Sequence, residues 1–379
     1  MADPSLQEAG ARLTVDLAAL QANYGLLAAR AESAECAAVV KADAYGLGAE
    51  KIVPALAEAG VKTFFVALLS EARQVRALAP GATVYVLNGL TPGTGRVCAE
   101  NGLRPVLSTR DEIAEWAAFC RAQAKRLPAA LHVDTGMNRL GLPVLEAARL
   151  AKENDSDLAD FELSLLMSHF VSSELPDDPL NARQIADFTS LRGLFPGVPA
   201  SLANSSGIFL AESPHFDLVR PGYALYGGNP LPGKPNPMTP VVRLEARILQ
   251  VREVEAGSTV GYNAQWTAPA PRRLATVALG YADGFPRAAA GIGQRKGGSA
   301  IVGGKLCPIV GRISMDLTVL DVTGLSDGAP RRGDWAGFLG PELGIDALGE
   351  ASATIGYEIL TRLGRRFARV YADSGSGAA

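Results

Sequence analysis

The stretch "LRPVLSTRDEIAEWAAFCRAQ", residues 103–123, predicts one complete β/α unit. Its opening run, residues 103–108, is short and largely apolar, which is typical of a buried parallel strand. Thr109 follows at once, and Glu112 lies three residues further on, which is the spacing of a capping box at a helix start. A buried strand that leads directly into a capped helix favours a parallel α/β fold.

The same alternation of apolar runs and helical segments extends from residue 12 to about 225. The predicted strands are residues 12–17, 36–42, 63–68, 83–88, 103–108, 129–135, 163–170 and 200–205. Helical patterns such as 48–60 lie between them. Eight such runs predict a parallel sheet that closes into a (β/α)8 barrel of the TIM type, with an open doubly wound sheet as the alternative.

The pattern changes at "NPLPGKPNPMTP" (229–240), because a proline-rich stretch supports neither a regular helix nor a central strand. Apolar and charged residues then alternate through 241–250, as in a strand with one buried face. We therefore predict two domains, an α/β barrel over residues 1–237 and a mainly β domain over 238–379. The tail at 372–379 is predicted to be disordered.

Composition narrows the classes of function. Of the 379 residues, 48% are hydrophobic and 20% are charged, which is ordinary for a globular protein. A net charge of −3 gives no electrostatic reason to expect a nucleic-acid partner or an anionic membrane. The first residues lack the basic start and apolar core of a secretory signal. The four cysteines are scattered, so we expect reduced thiols, a cytoplasmic protein and no metal site.

Polar residues follow several predicted strands, at the end of the barrel where active sites form. These candidates are Lys41 and Tyr45 after the second strand, Arg139 after the sixth, His169 on the seventh, Asn204 and Ser205 after the eighth, and Arg220 beyond them.

A phosphate site is one interpretation of "ANSSG" (203–207), because serine hydroxyls and free N–H groups at a helix start bind anions. An ordinary serine cap is the alternative. Gly222 favours the phosphate interpretation, since glycine lets backbone approach a ligand closely. A lysine beside a phosphate site suggests pyridoxal 5'-phosphate (PLP), held covalently by Lys41. Nearby cations and burial would lower the pKa of this lysine.

Several blocks then point to one family. "VVKADAYGLG" (39–48) resembles the cofactor-lysine motif of alanine racemases, which are PLP enzymes of fold type III. Other blocks resemble family motifs in the family's order, and together they span most of residues 12–366. They are "HVDTGMNRLG" (132–141), "SHF" (168–170), "ANSSG" (203–207), "VRPGYALYG" (219–227), "VGYNAQWTA" (260–268), "LGYADGFPR" (279–287), "VGRISMDLTVLDV" (310–322) and "TIGYEILTRLGRR" (354–366).

The resemblance implies a role for each residue. Lys41 would bind PLP and act as acid and base on one face of Cα, and Tyr262 would act on the opposite face. Tyr262 would come from a second subunit, so that the active sites of a homodimer are shared. Arg220 would hydrogen-bond the pyridine nitrogen, and His169 would hydrogen-bond Arg220. Arg139 would lie beside the cofactor hydroxyl and the substrate carboxylate, and Met315 would also contact that carboxylate. Tyr281 would line the substrate channel. The remaining residues implied for cofactor binding are Tyr45, Asn204, Ser205, Gly222 and Tyr357.

One position departs from the family pattern. Many members carry a lysine, often carbamylated, where this chain has His132. A histidine does not form that stable carbamate, so we expect another group to position Arg139.

The implied function is the interconversion of L-alanine and D-alanine, which supplies D-alanine for peptidoglycan. One alternative is another fold-type-III PLP enzyme, such as a serine or broad-specificity racemase or an amino-acid decarboxylase. A second alternative is a non-catalytic PLP-binding module. Such modules usually lack the β domain, so residues 238–366 argue against it.

Overall fold

The computed structural model describes residues 5–153, 155–211, 215–293, 295–326 and 328–372. Of the tail that was predicted to be disordered, residues 372–379, only residue 372 is among the described residues.

The elements alternate between strand and helix through the first half of the chain and are mainly strands in the second half. The strands are β1 (Ala11–Asp16), β2 (Glu35–Cys36), β3 (Ala38–Val39), β4 (Thr63–Val66), β5 (Thr83–Val86), β6 (Leu103–Leu107), β7 (Pro128–Asp134), β8 (Leu142–Pro143), β9 (Glu162–Met167), β10 (Ala200–Ser201), β11 (Leu218–Val219), β12 (Val242–Val254), β13 (Thr259–Val260), β14 (Trp266–Thr267), β15 (Arg272–Val277), β16 (Ser299–Val302), β17 (Lys305–Pro308), β18 (Thr318–Asp321), β19 (Trp335–Leu339) and β20 (Ala368–Ala372). The helices are α1 (Leu17–Arg30), α2 (Lys41–Tyr45), α3 (Ala49–Glu58), α4 (Leu69–Leu78), α5 (Gly95–Glu100), α6 (Arg110–Gln123), α7 (Val144–Lys152), α8 (Ser156–Ala159), α9 (Pro179–Arg192), α10 (Ile345–Ala351) and α11 (Gly356–Arg362). Short 3-10 helices lie at Gly207–Phe209, Tyr223–Tyr226, Tyr262–Ala264, Tyr281–Asp283 and Arg287–Ala289.

The first half of the chain forms a closed parallel barrel. Its sheet has the order β10-β9-β7-β6-β5-β4-β3, and β11 pairs in parallel with β2, which continues into β3. On the other side of β11, the Asp217 N–H donates to the Ala200 carbonyl at 3.0 Å and the Arg220 N–H donates to the Ala203 carbonyl at 2.9 Å. These bonds close the ring, so the barrel prediction is confirmed and the open sheet is excluded.

The prediction that residues 12–17 form the first barrel strand is wrong. β1 instead pairs antiparallel with β12 and parallel with β20, inside the sheet of the second half. Its buried and half-buried residues alternate, which is the pattern of a strand with one covered face, whereas barrel strands are buried on both faces. The eighth barrel strand is β11. It has only two residues, which are too few to produce a hydrophobic periodicity that would identify a strand in the sequence.

The helix that follows β6 begins as its sequence predicts. Thr109 Oγ1 accepts the Glu112 N–H at 3.2 Å, and the Glu112 carboxylate accepts the Thr109 N–H at 3.1 Å. The same carboxylate accepts the Ser108 N–H at 2.7 Å. This capping box fixes the turn at the carboxyl end of β6, beside the site.

The second half is mainly β, as predicted. One sheet has the order β17-β16-β19-β12-β1-β20, and β15 joins β12 to β18. In the first part of β12 the side chains of Val242, Leu244, Ala246 and Ile248 are buried, which confirms the predicted one-sided strand. The four cysteines are buried and unpaired. No helix within the described ranges has the length and apolar character needed to cross a membrane.

Candidate active site

A left-handed turn presents Lys41 at the end of β3. The four residues after it, Ala42 to Tyr45, all have φ between 54° and 56°, a region that residues other than glycine seldom adopt. Neighbouring groups hold this costly conformation. Glu71 accepts the Ala42 N–H at 2.7 Å, and Asp43 accepts the Ala49 N–H at 2.8 Å and an N–H of Arg365 at 3.1 Å. Strain of this kind is concentrated at functional sites, where the surrounding structure maintains it.

A cavity of about 900 Å³ opens at the carboxyl ends of the barrel strands. The structure brings most of the predicted site residues into its lining. They are Lys41, Tyr45, His132, Arg139, His169, Asn204, Ser205, Arg220, Gly222 and Tyr357. The convergence expected from strand-end placement is therefore present.

The environment of Lys41 makes its amine less basic. Burial lowers the pKa of Lys41, and the positive charge of Arg139 lowers it further, while Glu71 opposes both effects. A larger fraction of the amine is therefore neutral near pH 7 than in an exposed lysine. The neutral amine is the form that attacks a carbonyl group and that accepts a proton.

Arg220 is a buried cation with no anionic partner among the described residues. Its guanidinium donates to Ser201 Oγ, to the Ser168 carbonyl at 2.6 Å and to the Leu202 carbonyl at 3.4 Å. Burial lowers the pKa of Arg220 to about 9. Within the described ranges its Nε–H has no acceptor. A charged donor facing a cavity is suited to an acceptor atom of a bound molecule.

Two neutral imidazoles lie near this arginine. The Arg220 guanidinium is 3.4 Å from His169 Nδ1. Burial, followed by the charges of Arg220 and Arg139, holds the pKa of His169 well below its ordinary value, so its Nδ1 is an acceptor for the guanidinium. Burial and Arg220 lower the pKa of His132 to about 4. His132 Nδ1 lies 3.5 Å from Ser108 Oγ, at the end of β6.

One end of the cavity is a cradle of backbone and hydroxyl groups. Ser205 Oγ accepts the N–H groups of Gly222 at 3.0 Å and Ala224 at 3.2 Å, and its own proton has no acceptor in the described part of the chain. A Cβ atom on Gly222 would lie 2.3 Å from the Tyr45 hydroxyl, so only glycine leaves this hydroxyl in place. Asn204 has a supporting role, because its Oδ1 accepts the Gly207 N–H at 2.9 Å, at the first residue of the 3-10 helix.

Aromatic rings form the wall beside this cradle. The rings of Tyr223 and Tyr357 stack with centroids 4.0 Å apart, and Tyr45 lies 6.2 Å from Tyr357 and 4.6 Å from Tyr226. Burial raises the pKa of Tyr45, and burial together with nearby carboxylates raises that of Tyr357. Both hydroxyls therefore keep their protons and are donors at neutral pH, as binding of a phosphate dianion requires.

Three predicted residues do not line this cavity. Tyr262, Tyr281 and Met315 lie in the second half of the chain and have exposed fractions of 69%, 42% and 54%. Tyr281 and Met315 are neighbours, since the Tyr281 N–H donates to the Ser314 carbonyl at 3.1 Å and the Ala282 N–H donates to the Met315 carbonyl at 2.9 Å. The Met315 N–H has no acceptor among the residues that the structure describes.

The cavity also contains residues that the sequence did not single out. Tyr223 and Glu174 both line it, and the negative charge of Glu174 contributes to the raised pKa of Tyr357. Tyr223 lies inside the motif "VRPGYALYG", so the motif itself was the signal for it. Glu174 belongs to a polar loop after β9, where no spacing or pattern distinguishes one carboxylate from its neighbours.

These groups fit one kind of ligand. The cradle supplies protonated hydroxyls for a phosphate, Arg220 supplies a donor for a ring nitrogen, and Lys41 supplies an amine for an aldehyde. A (β/α)8 barrel with this set, joined to a β domain, defines a PLP-dependent enzyme of the barrel type.

Comparisons with known proteins identify the family. Residues 15–230 match the model of the alanine racemase N-terminal domain, and residues 241–371 match that of the alanine racemase C-terminal domain. The chain therefore belongs to the alanine racemase family, and the resemblance found in its motifs is confirmed. Its reaction is the interconversion of L-alanine and D-alanine.

Relatives agree with this assignment over nearly their whole length. An alanine racemase from a Methylobacterium species is 59% identical over 96% of this chain and 98% of its own, and one from Rhodospirillum rubrum is 48% identical over 97% and 98%. The crystal structure of alanine racemase from Bartonella henselae with covalently bound pyridoxal phosphate has a TM-score of 0.90 and 42% identity, and covers 96% of this chain and 100% of its own. The biosynthetic alanine racemase from Pseudomonas aeruginosa has a TM-score of 0.87 and 34% identity, over 96% and 99%.

Proposed function

We propose that Lys41 and Tyr262 are the two proton-transfer groups in the interconversion of L-alanine and D-alanine. Inversion at Cα requires one group that removes a proton from one face and another that delivers a proton to the opposite face. The lowered pKa of Lys41 suits the first group, since a larger fraction of its amine is neutral and able to accept a proton. Lys41 would hold PLP until the substrate amine takes its place on the cofactor, and the released Lys41 amine would then be free to exchange a proton with Cα. The bound cofactor would supply the electron-withdrawing group that makes the substrate Cα–H acidic.

We assign the binding of PLP to three groups of residues. Arg220 would donate to the ring nitrogen and, because it keeps its own proton, would leave that nitrogen unprotonated. This limits the charge that the ring accepts and favours return of the proton to Cα. Tyr45, Ser205, Gly222 and Tyr357 would hold the phosphate, with Asn204 shaping the loop that carries Ser205.

His169 would keep Arg220 in place by accepting its hydrogen bond as a neutral imidazole. For the substrate carboxylate we propose Arg139 and the N–H of Met315, which is unpaired within the described ranges. Tyr281, beside Met315, would line the channel by which the substrate enters.

We further propose a homodimer with shared active sites. Tyr262 and Met315 are highly exposed and lie away from the cavity of their own chain. Large apolar side chains are also exposed near the mouth of the cavity, among them Ile355 at 61% and Leu140 at 43%. Apolar side chains exposed on two surfaces are typical of a contact between subunits. A second copy would bring its Tyr262 and Met315 to this mouth and complete the site.

The two parts of the chain then have separate tasks. Residues 1–237 would bind PLP, and residues 238–379 would contribute the second catalytic base to the partner, with β1 added to the sheet of this second part. Supply of D-alanine for peptidoglycan is the role that we propose for the reaction. The cytoplasmic location stays a prediction.

The observation that carries this proposal is that a lysine with a lowered pKa faces the same cavity as a hydroxyl cradle and a buried arginine that has no carboxylate partner in the described ranges. It is tested by incubating the PLP-loaded protein with L-alanine in D2O. We expect loss of optical rotation, entry of deuterium at Cα, and strong reduction of both in Lys41→Ala and Tyr262→Phe. If PLP binds but alanine is not racemised, the assignment fails and serine becomes the next substrate to test.

A further inference from the structure

Two amide side chains on helix α9 lie directly behind the cavity. Asn181 and Gln184 are three positions apart, so they lie on one face of the helix. Their exposed fractions are 4% and 0%. Amides buried this completely are costly unless they are hydrogen-bonded, so their partners indicate what they do.

Most of those partners are backbone atoms of one loop, residues 169–175. Asn181 Nδ2 donates to the carbonyls of Ser172 at 3.3 Å and Leu175 at 2.9 Å. Gln184 Nε2 donates to the His169 carbonyl at 2.9 Å, and its Oε1 accepts the Val171 N–H at 2.9 Å. The two amides thus fix the 169–175 loop at four backbone positions.

Gln184 also connects this loop to the strand ends. Its Nε2 donates to Thr135 Oγ1 at 2.8 Å, and Thr135 Oγ1 lies 2.8 Å from Ser168 Oγ. The Ser168 carbonyl in turn accepts the hydrogen bond from Arg220 at 2.6 Å. Hydrogen bonds on the two sides of Ser168, one to its hydroxyl and one to its carbonyl, therefore connect α9 to the buried arginine.

The 169–175 loop contacts both ends of the cavity. At one end, His169 accepts a hydrogen bond from Arg220 at 3.4 Å. At the other end, Ser173 Oγ donates to Asn204 Oδ1 at 2.9 Å, and Glu174 lines the cavity together with Tyr357. A displacement of this one loop would change the arginine end and the cradle end together.

We propose that Asn181 and Gln184 are positioning residues that hold the 169–175 loop in place. The loop would thereby keep a fixed distance between the groups that bind the ring nitrogen of PLP and those that bind its phosphate. This inference rests on the proposed roles of Arg220 and Tyr357. Neither amide lines the cavity or contacts a reacting group, so both act only through the loop.

The first test is Gln184→Met in the PLP-loaded enzyme. Methionine fills a similar volume but leaves the His169 carbonyl, the Val171 N–H and Thr135 Oγ1 without their partner. We expect kcat for L-alanine to fall by about tenfold or more, because a small misplacement at a catalytic site has a large effect on rate. KM should change less, PLP should dissociate more readily, and the absorption band of the bound cofactor should shift. A merely structural residue would lower the unfolding temperature without moving that band.

A second variant keeps the test decisive if Gln184→Met does not fold. Thr135→Val preserves shape and removes one hydroxyl from the same set of bonds, and it should show the same band shift and a smaller loss of kcat. Ser190→Ala, on the exposed side of α9, is the matched control and should leave kcat and the band unchanged.

The inference is overturned if the folded, PLP-loaded variants keep wild-type kcat and the wild-type band. That outcome leaves the proposed function intact, because the proposed function is tested separately, by racemisation in the wild type and in the Lys41→Ala and Tyr262→Phe variants. Failure of the wild type to racemise alanine would instead refute the proposed function.

Discussion

Substitution of Gly222 by alanine tests the proposed phosphate cradle most directly. The added Cβ would lie 2.3 Å from the Tyr45 hydroxyl and 3.3 Å from Val39 Cβ. The φ of Gly222 is −128°, outside the left-handed region that favours glycine, so the substitution tests the close contact with Tyr45. Tyr45 would have to withdraw by about 1 Å to reach an ordinary contact distance. It has little room to do so, because its ring packs against Tyr226 at 4.6 Å.

The size of the effect follows from the hydrogen bond that is lost. A hydrogen bond to a charged group contributes about 1.5–3 kcal/mol. Loss of the Tyr45 contact to the phosphate should therefore weaken PLP binding by about 10- to 100-fold. The assay is a titration of the apoenzyme with PLP, followed by absorbance. Tyr45→Phe should weaken binding to a similar degree, and the double variant should be no worse than either single variant.

Gly25→Ala is the matched control, because a Cβ there meets no atom within 4 Å and the residue lies exposed in helix α1. It should raise the free energy of unfolding by up to about 1 kcal/mol and leave PLP affinity unchanged. Wild-type PLP affinity in Gly222→Ala would refute the assignment of Tyr45 and Gly222 to the phosphate.

Two further predictions follow from the proposed dimer and from the buried histidines. Mixing Lys41→Ala with Tyr262→Phe protomers should restore activity at about a quarter of the sites after random exchange, because one site of each mixed dimer then has both native groups. A mixture as inactive as its components, in which mass spectrometry shows that differently tagged protomers have exchanged, would show that Tyr262 serves its own chain. In the unfolded chain, His132 has an ordinary pKa of about 6.5. In the folded chain, burial and Arg220 lower the pKa of His132 to about 4. Between these two pH values the unfolded state binds more protons, so the free energy of unfolding falls as the pH falls. Urea titrations at pH 7 and pH 5 measure this loss in the wild type and in His132→Gln. The loss should be smaller in His132→Gln, by about 2 kcal/mol. Equal losses in the two proteins would contradict a neutral His132.

The sequence predicted those parts of the fold that repeat or have clear local signals. The helix after β6 begins at Thr109 because a threonine and a glutamate at the right spacing satisfy the free N–H groups of its first turn. The assignment of β1 to the barrel was wrong because an apolar run alone does not specify its neighbour. Its partners β12 and β20 are more than 200 residues away in sequence, and only the folded structure brings them together.

The candidate site was predictable where a residue stands at the end of a strand or inside a motif. Lys41 and Arg220 are examples, since strand placement alone brings them to one cavity. Glu174 and Gln184 were not predictable, because their importance depends on hydrogen bonds across the fold that have no local pattern. Tyr262 was identified through family resemblance alone, and its exposure in one chain explains why barrel geometry gave no indication of it.

The strained turn after Lys41 also bears on the order in which the protein matures during translation. Two contacts just beyond this turn come from residues more than 300 positions later in the chain: Arg369 donates to the Gly46 carbonyl at 2.9 Å, and the Tyr371 hydroxyl donates to the Leu47 carbonyl at 2.8 Å. At ribosomal rates of about 5–20 residues per second, these groups emerge roughly 15–60 s after the lysine. Until then these two hydrogen bonds are absent beside a left-handed turn that costs about 1–2 kcal/mol per residue. Local unfolding of β20 would remove the same two bonds, so the end of the barrel that carries Lys41 depends on a strand of the second sheet.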